Sequence, residues 1–226
     1  MLSYSETFPE LVRQRRSIRQ FLDTPLPPDL IQAILSDAQH SPSNCNTQPW
    51  QVHVVSGEKL KKLSSALKAA HDQDRAAPDF YFNAAEYPAP YDERNHGHAK
   101  ARYDALGIAR DDYQARAANQ RHNLDFFNAP HAALLFMPQL GDGVRVAGDL
   151  GMYGQTFLLS LTARGLGGIP QTMLGLYADT VRSELGISPE FKMLFGISFG
   201  YPDKEAAVNS YRVSRSPLNE SVVFHQ

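Results

Sequence analysis

The 226-residue chain is 42% hydrophobic and 20% charged, a composition that supports a sizeable core and excludes intrinsic disorder. Its formal net charge of -2 gives no general basic surface for nucleic acid, and the single cysteine, Cys45, excludes an internal disulfide framework. No apolar run is long enough to span a bilayer and the opening segment lacks a signal-peptide core, so the expectation is one cytoplasmic domain over residues 1–226.

Phe8, Leu11 and Val12 share one face of a predicted helix over residues 8–14. A basic run follows, Arg13, Arg15, Arg16 and Arg19, interrupted by Ser17. Pro25, Pro27 and Pro28 stop the chain, and Asp29 opens a helix with the apolar stripe Leu30, Ile31, Ile34 and Leu35. Residues 41–50, SPSNCNTQPW, are short and polar and read as a loop. QVHVVS at 51–56 predicts a strand, and residues 58–70 an amphipathic helix through Leu60, Leu63 and Leu67.

The stretch 72–122 is polar and aromatic-rich, with weak periodicity from Asp72 to Lys100, which suits a substrate-facing lid or a solvated surface loop. A helix is expected from about Asp111 to Asn128. HAALLFM at 131–137 predicts a buried strand. The segment 144–164 reads as a buried helix whose Gly148, Gly151 and Gly154 suggest close packing against another element. GLGG at 165–168 ends it as a turn, and LFGISFG at 194–200 reads as a further strand. The β-prone residues 222–224 have no neighbouring strand in sequence and need a sheet edge, such as that of a second subunit.

Three segments suit ligand chemistry. Arg15, Arg16, Ser17 and Arg19 offer guanidinium forks and a hydroxyl matched to phosphate, or else form an ordinary solvated surface. Residues 42–50 offer hydroxyls, amides and N–H groups to a planar ligand, or else form a self-capped turn. GLGGIPQT at 165–172 follows a helix with backbone amides free to donate, but it lacks the strand–turn–helix context of a dinucleotide fingerprint. Cys45 has no fixed base beside it. His96 and His98 lack a persuasive third and fourth ligand, so no metal is expected. No nucleophile elbow or favoured carboxylate pair suggests a hydrolase. Tyr81, Phe82, Tyr87 and Tyr91 suit stacking on a substrate or plain surface packing.

The order of these motifs resembles the FMN-dependent nitroreductase family over nearly the whole chain. RRSIRQF at 15–21 is similar to that family's phosphate-contacting start, SPSNCNTQPW to its flavin-contacting loop, the helix near Asp149 with GLGGIPQT to its buried helix and flavin-edge loop, and SYRVSRSP, with Arg212 and Arg215, to its terminal basic contact. The resemblance implies an α+β, three-layer sandwich with a central, mainly antiparallel mixed sheet. It implies an intertwined homodimer with FMN at the interface and C-terminal strand exchange, residues 201–226 forming the crossing arm.

By the same resemblance, Arg15, Ser17, Arg19 and Arg215, with Arg16 assisting, hold the phosphate and ribityl end. Ser43, Asn44 and Asn46 reach the flavin from the neighbouring subunit. Pro170, Gln171 and Thr172 pass the ring edge, the Thr172 N–H pointing toward N5, and Gln155 lies near. Val213 stands where the family is often basic, which leaves the clamp more dependent on Arg215. Residues 72–122 become the probable lid, with Tyr81, Phe82, Tyr87 and Tyr91 as gate. The implied activity is ping-pong reduction of nitroaromatic or quinone-like acceptors by NADH or NADPH, nitro passing through nitroso to hydroxylamine, with flavin N5 rather than an acid or base carrying the hydride. The alternatives are reductive dehalogenation of a halogenated phenol, to which Glu86 and Tyr87 are suggestive, and a flavin-binding or flavin-processing role with little nicotinamide turnover.

Overall fold

The computed structural model describes residues 4–226, with side chains from Glu6 onward. Helix α1, Tyr4–Gln14, leads into the arginine run. Helix α2, Pro28–Gln39, begins with a proline, whose missing N–H has no intrahelical acceptor to lose there, and buries Ile34 and Ala38. Strand β1, Gln51–Ser56, and helix α3, Gly57–Asp72, follow the polar loop, and α3 buries Leu60, Leu63 and Leu67 on one face.

The stretch 72–122 holds two helices, α4 at Tyr91–Ala105 and α5 at Tyr113–Arg121. Helix α4 buries only Tyr103, so it has no apolar stripe for periodicity to report. The single helix expected to about Asn128 is instead divided. Asp112 caps α5 by accepting the Ala115 N–H at 2.9 Å, and a 3₁₀ segment runs over His122–Asn128. Phe126 and Phe127 there both take φ of 55°, which no α-helix continues through, and their buried rings compensate that backbone.

Strand β2, His131–Pro138, leads through α6, Val144–Ala163, to β3, Gly167–Gln171, and the short α7, Thr172–Gly175. Helix α8, Ala178–Leu185, and strand β4, Phe191–Gly200, complete the regular elements. The GLGG segment is therefore more than a turn. Gly165, at φ 70°, ends the helix, and Gly167 and Gly168 already belong to β3. Both approach neighbours too closely for a side chain: a Cβ on Gly167 would lie 2.6 Å from Ile18, and one on Gly168 2.7 Å from Leu161.

The sheet order is β1-β2-β4-β3, every ladder antiparallel, with a parallel bridge from Ser17 to Gly168 added at the β3 edge. Both faces are covered. Leu134 and Phe136 of β2 pack with α3, α8 and the 122–128 segment, while Ala133, Leu135 and Met137 pack with α2 and α6. That is why HAALLFM shows no polar alternation. Among the described residues, Gly154 of α6 lies against another element, where a Cβ would meet the Phe195 ring at 2.8 Å, while nothing described lies within 4 Å of that position on Gly148 or Gly151. Residues 222–224 form no strand within the single chain and are exposed, and β1 ends the sheet with its outer edge unpaired among the described residues.

Candidate active site

Within the arginine run, Arg13 is exposed while Arg15, Arg16 and Arg19 are half-buried. Because Ile18 N donates to the Gly168 carbonyl at 3.2 Å, the backbone of 15–19 lies along β3, with Ile18 buried inward. Arg15, Arg16, Ser17 and Arg19 then line a cavity of about 380 Å³, lined also by Arg212 and Arg215. No carboxylate is among its described lining residues. The guanidiniums stand in each other's fields. Burial and then Arg215 lower the pKa of Arg15, and burial and then Arg212 lower that of Arg16. Like charges gathered around a recess whose described lining holds no acid suit an anionic ligand.

Two further segments build this cavity. Asn209, only 3% exposed, accepts the Arg19 N–H at 2.8 Å and donates to the carbonyls of Gln20 and Asp203, each at 2.8 Å. Its fully used amide pins the C-terminal arm to the arginine run. Tyr211 accepts from Arg19 Nη1 at 2.7 Å, and His98 of α4 joins the same group. Burial dominates the pKa of Arg19 and lowers it, Tyr211 opposing the shift and Arg102 adding to it.

Strand β3 leads from this cavity to a second recess. Gln171 turns inward, donating to the Asn123 carbonyl at 2.9 Å and accepting from the buried Ser198 hydroxyl. Its side chain is thus committed to the protein, and only its main chain runs along the edge. Pro170 and Thr172 are exposed on either side of it. Thr172 is the first residue of α7, so its N–H has no intrahelical acceptor. Phe80, Tyr81 and Phe82 come against it and, with Phe195, line a recess of about 260 Å³.

The aromatic segment is held at its base. Asp79, with its side chain 6% exposed, takes Arg182 Nη1 at 2.5 Å and the Met193 N–H at 2.8 Å. Beyond it, Tyr81 and Asn83 donate to Glu86, and the Phe82 and Tyr87 rings meet edge-on with centroids 6.3 Å apart. Tyr91 lies apart at the start of α4, under the Arg94 guanidinium at 5.0 Å. Tyr81 and Phe82 therefore join the Thr172 recess, while Tyr87 and Tyr91 do not line it.

The loop at 41–50 lines neither recess in the single chain. It is anchored on α6 instead, with the Asn44 N–H donated at 3.0 Å to Asp149, a buried carboxylate. Ser43 Oγ accepts the Gln48 N–H at 2.9 Å, and Asn46 adopts φ of 55°. Asn44, Asn46 and Gln155 are exposed, Gln155 on the same open side of α6 as Gly148, Gly151 and Met152.

A family model described as the nitroreductase family matches residues 12–201. Nitroreductase NfnB of Mycolicibacterium smegmatis is 42% identical over 95% of this chain and 91% of its own length. The 4-nitrobenzoate reductase of Pseudomonas putida is 33% identical over 95% of this chain and 94% of its own. The crystal structure of the FMN-dependent nitroreductase NfnB from Mycobacterium smegmatis in complex with NADPH superposes with a TM-score of 0.94 at 40% identity, covering 99% of this chain and 100% of that one.

The chain belongs to the FMN-dependent nitroreductase family. It is an enzyme of that family, with an α+β fold and helices on both faces of the sheet. Within this nitroreductase, reading the sequence missed His98, Tyr211 and Asn209 around Arg19, and Asp79 beneath the aromatic segment. His98 and Tyr211 lie in segments the sequence did single out, HGH and SYRVSRSP, but without this role. Each acts through a partner distant in the chain, which spacing along one segment does not reveal.

Proposed function

We propose that this nitroreductase binds FMN along β3 and uses it to reduce nitroaromatic or quinone-like acceptors with NAD(P)H in a ping-pong cycle. The observation that carries the reading is one strand with an arginine cavity at one end, no carboxylate among its described lining residues, and an aromatic recess at the other. Ser17 pairs with Gly168, and Thr172 lies four residues further on, roughly 13 Å at strand rise. An extended ligand with an anionic end and a planar end suits that arrangement.

The residues fit FMN. Arg15, Arg16, Arg19 and Arg215 supply the charge for a phosphate, with Ser17 as a short donor. Val213 adds none, so Arg215 and Arg212 carry the arm's share. The Thr172 N–H faces the planar end. FMN when bound supplies two-electron redox chemistry, accepting a hydride and passing electrons on. The chain's own residues bind and orient it, and Phe80, Tyr81 and Phe82 offer apolar faces for an acceptor ring. Glu86 is already occupied by Tyr81 and Asn83, which leaves it poorly placed to grip an amino-acid substrate and favours reductase over dehalogenase.

The working unit in this proposal is a homodimer. The open stripe of α6, from Gly148 through Met152 to Gln155, gives a partner close backbone access, and Ser43, Asn44 and Asn46 reach the partner's flavin from its flank. Residues 222–224 pair with the free β1 edge of the other subunit, which gives a β-prone segment the neighbour it lacks in its own chain.

Anaerobic stopped-flow absorbance of FMN-loaded protein tests the activity. NADPH or NADH bleaches the flavin, and 4-nitrobenzoate then restores its colour. Bound flavin that neither nicotinamide bleaches would point to a flavin-binding role without reductase turnover.

A further inference from the structure

The HGH segment of α4 sends its histidines to different surroundings. His96 is exposed, with Nδ1 3.1 Å from Asp92. His98 lines the arginine cavity, and its Nε2 lies 3.3 Å from both Arg19 Nη2 and the Tyr211 hydroxyl. A guanidinium offers only donors, so His98 Nε2 is the acceptor and the ring proton sits on Nδ1. Burial first, then Arg19 and Arg102, pushes the imidazole down to about 4, so the neutral, accepting form is the one present at neutral pH.

The choice of residue type is informative. A carboxylate in this position would hold Arg19 more strongly, but it would neutralise the guanidinium and repel an incoming phosphate. A neutral imidazole fixes the geometry and leaves the charge intact. Three segments distant in sequence meet here. Asn209 of the C-terminal arm holds the Arg19 main chain, while Tyr211 of the arm and His98 of α4 hold its side chain. His98 brings α4, from the 72–122 excursion, into this group.

We propose that His98 is a positioning residue of the anion cavity, a neutral acceptor that aims the Arg19 guanidinium at a bound phosphate and ties helix α4 to that end of the site. This rests on the flavin reading above. Fluorescence titration of the apoprotein with FMN and, separately, with riboflavin tests it, because only FMN carries the phosphate. His98→Ala weakens FMN binding roughly tenfold, the effect of losing one charge-assisted hydrogen bond, and leaves riboflavin binding unchanged. His98→Gln, which keeps a neutral acceptor of similar reach, recovers most of the FMN affinity, and His98→Glu loses more than the alanine variant.

An FMN affinity unchanged in His98→Ala overturns the proposal. So does an equal loss for FMN and riboflavin, which would mark His98 as general packing. Should the alanine variant not fold, the comparison of His98→Gln with His98→Glu decides: equal FMN affinities refute a role that depends on a neutral acceptor. Wild-type protein that binds no FMN would instead refute the flavin reading itself.

Discussion

Several side chains that organise the site, among them Asn209, Gln171 and Asp79, are buried polar groups held by named partners. Asp79 is the clearest case. Its carboxylate is buried against Arg182, with Lys192 3.6 Å away, and it also takes the Met193 N–H. Removing it leaves Arg182 with only Asp179, a largely exposed partner, and the Phe191 carbonyl. Breaking one side of a buried pair of this kind costs about 3 kcal/mol. Asp79→Ala is therefore expected to lower unfolding stability by that order in urea titration, and to release the 80–82 segment from Thr172. If FMN-saturated variant protein keeps the wild-type KM for a nitroaromatic acceptor, Asp79 does not position that segment for the substrate.

Among the elements, β3 does most to create the site, and glycine is what lets it form. Gly167 makes room for Ile18, which brings Ser17 alongside, and Gly168 sits against Leu158 and Leu161 of α6. A Cβ at Gly168 would meet Leu161 at 2.7 Å and Leu158 at 2.9 Å, two branched side chains within a packed core. Gly168→Ala should cost about 1–3 kcal/mol through overpacking and should push β3 from α6, weakening FMN binding as well as stability. A melting temperature within a degree of wild type would show that the core relaxes around the methyl group. The short α7 follows directly, so any shift of β3 also moves the Thr172 N–H.

For the whole molecule, among the described residues the outer edge of β1, the open stripe of α6, and the exposed Val222, Val223 and Phe224 are left uncovered. An exposed apolar segment and a free sheet edge are each costly for an isolated subunit. In the proposed homodimer, a chain ending at Glu220 should dissociate at least tenfold more readily than the full chain in light scattering after size exclusion, with loss of bound flavin in parallel. An unchanged dimer dissociation constant would remove the C-terminal segment from the interface.

Much of this protein was legible in its sequence because the signals were local. Leu60, Leu63 and Leu67 repeat at helical spacing. QVHVVS at 51–56 coincides with β1, and the prolines at 25, 27 and 28 punctuate the entry to α2. The arginine run and its serine were visible as candidate phosphate ligands for the same reason, a cluster of one chemistry within five residues. Only tertiary structure decided what depends on distant partners. Helix α4 has no apolar stripe, so its place was set by the contacts of Tyr103 and His98 rather than by periodicity. Glycines 167 and 168 read as a turn because nothing in their neighbourhood announces a strand; pairing with β4 and the approach of Ile18 make them one. Whether Arg15 to Arg19 form a solvated patch or line a shared recess was likewise open until the fold brought Arg212 and Arg215 to the same cavity. Charge along a chain is written in the sequence, but the field it makes depends on which charges the backbone leaves facing one another.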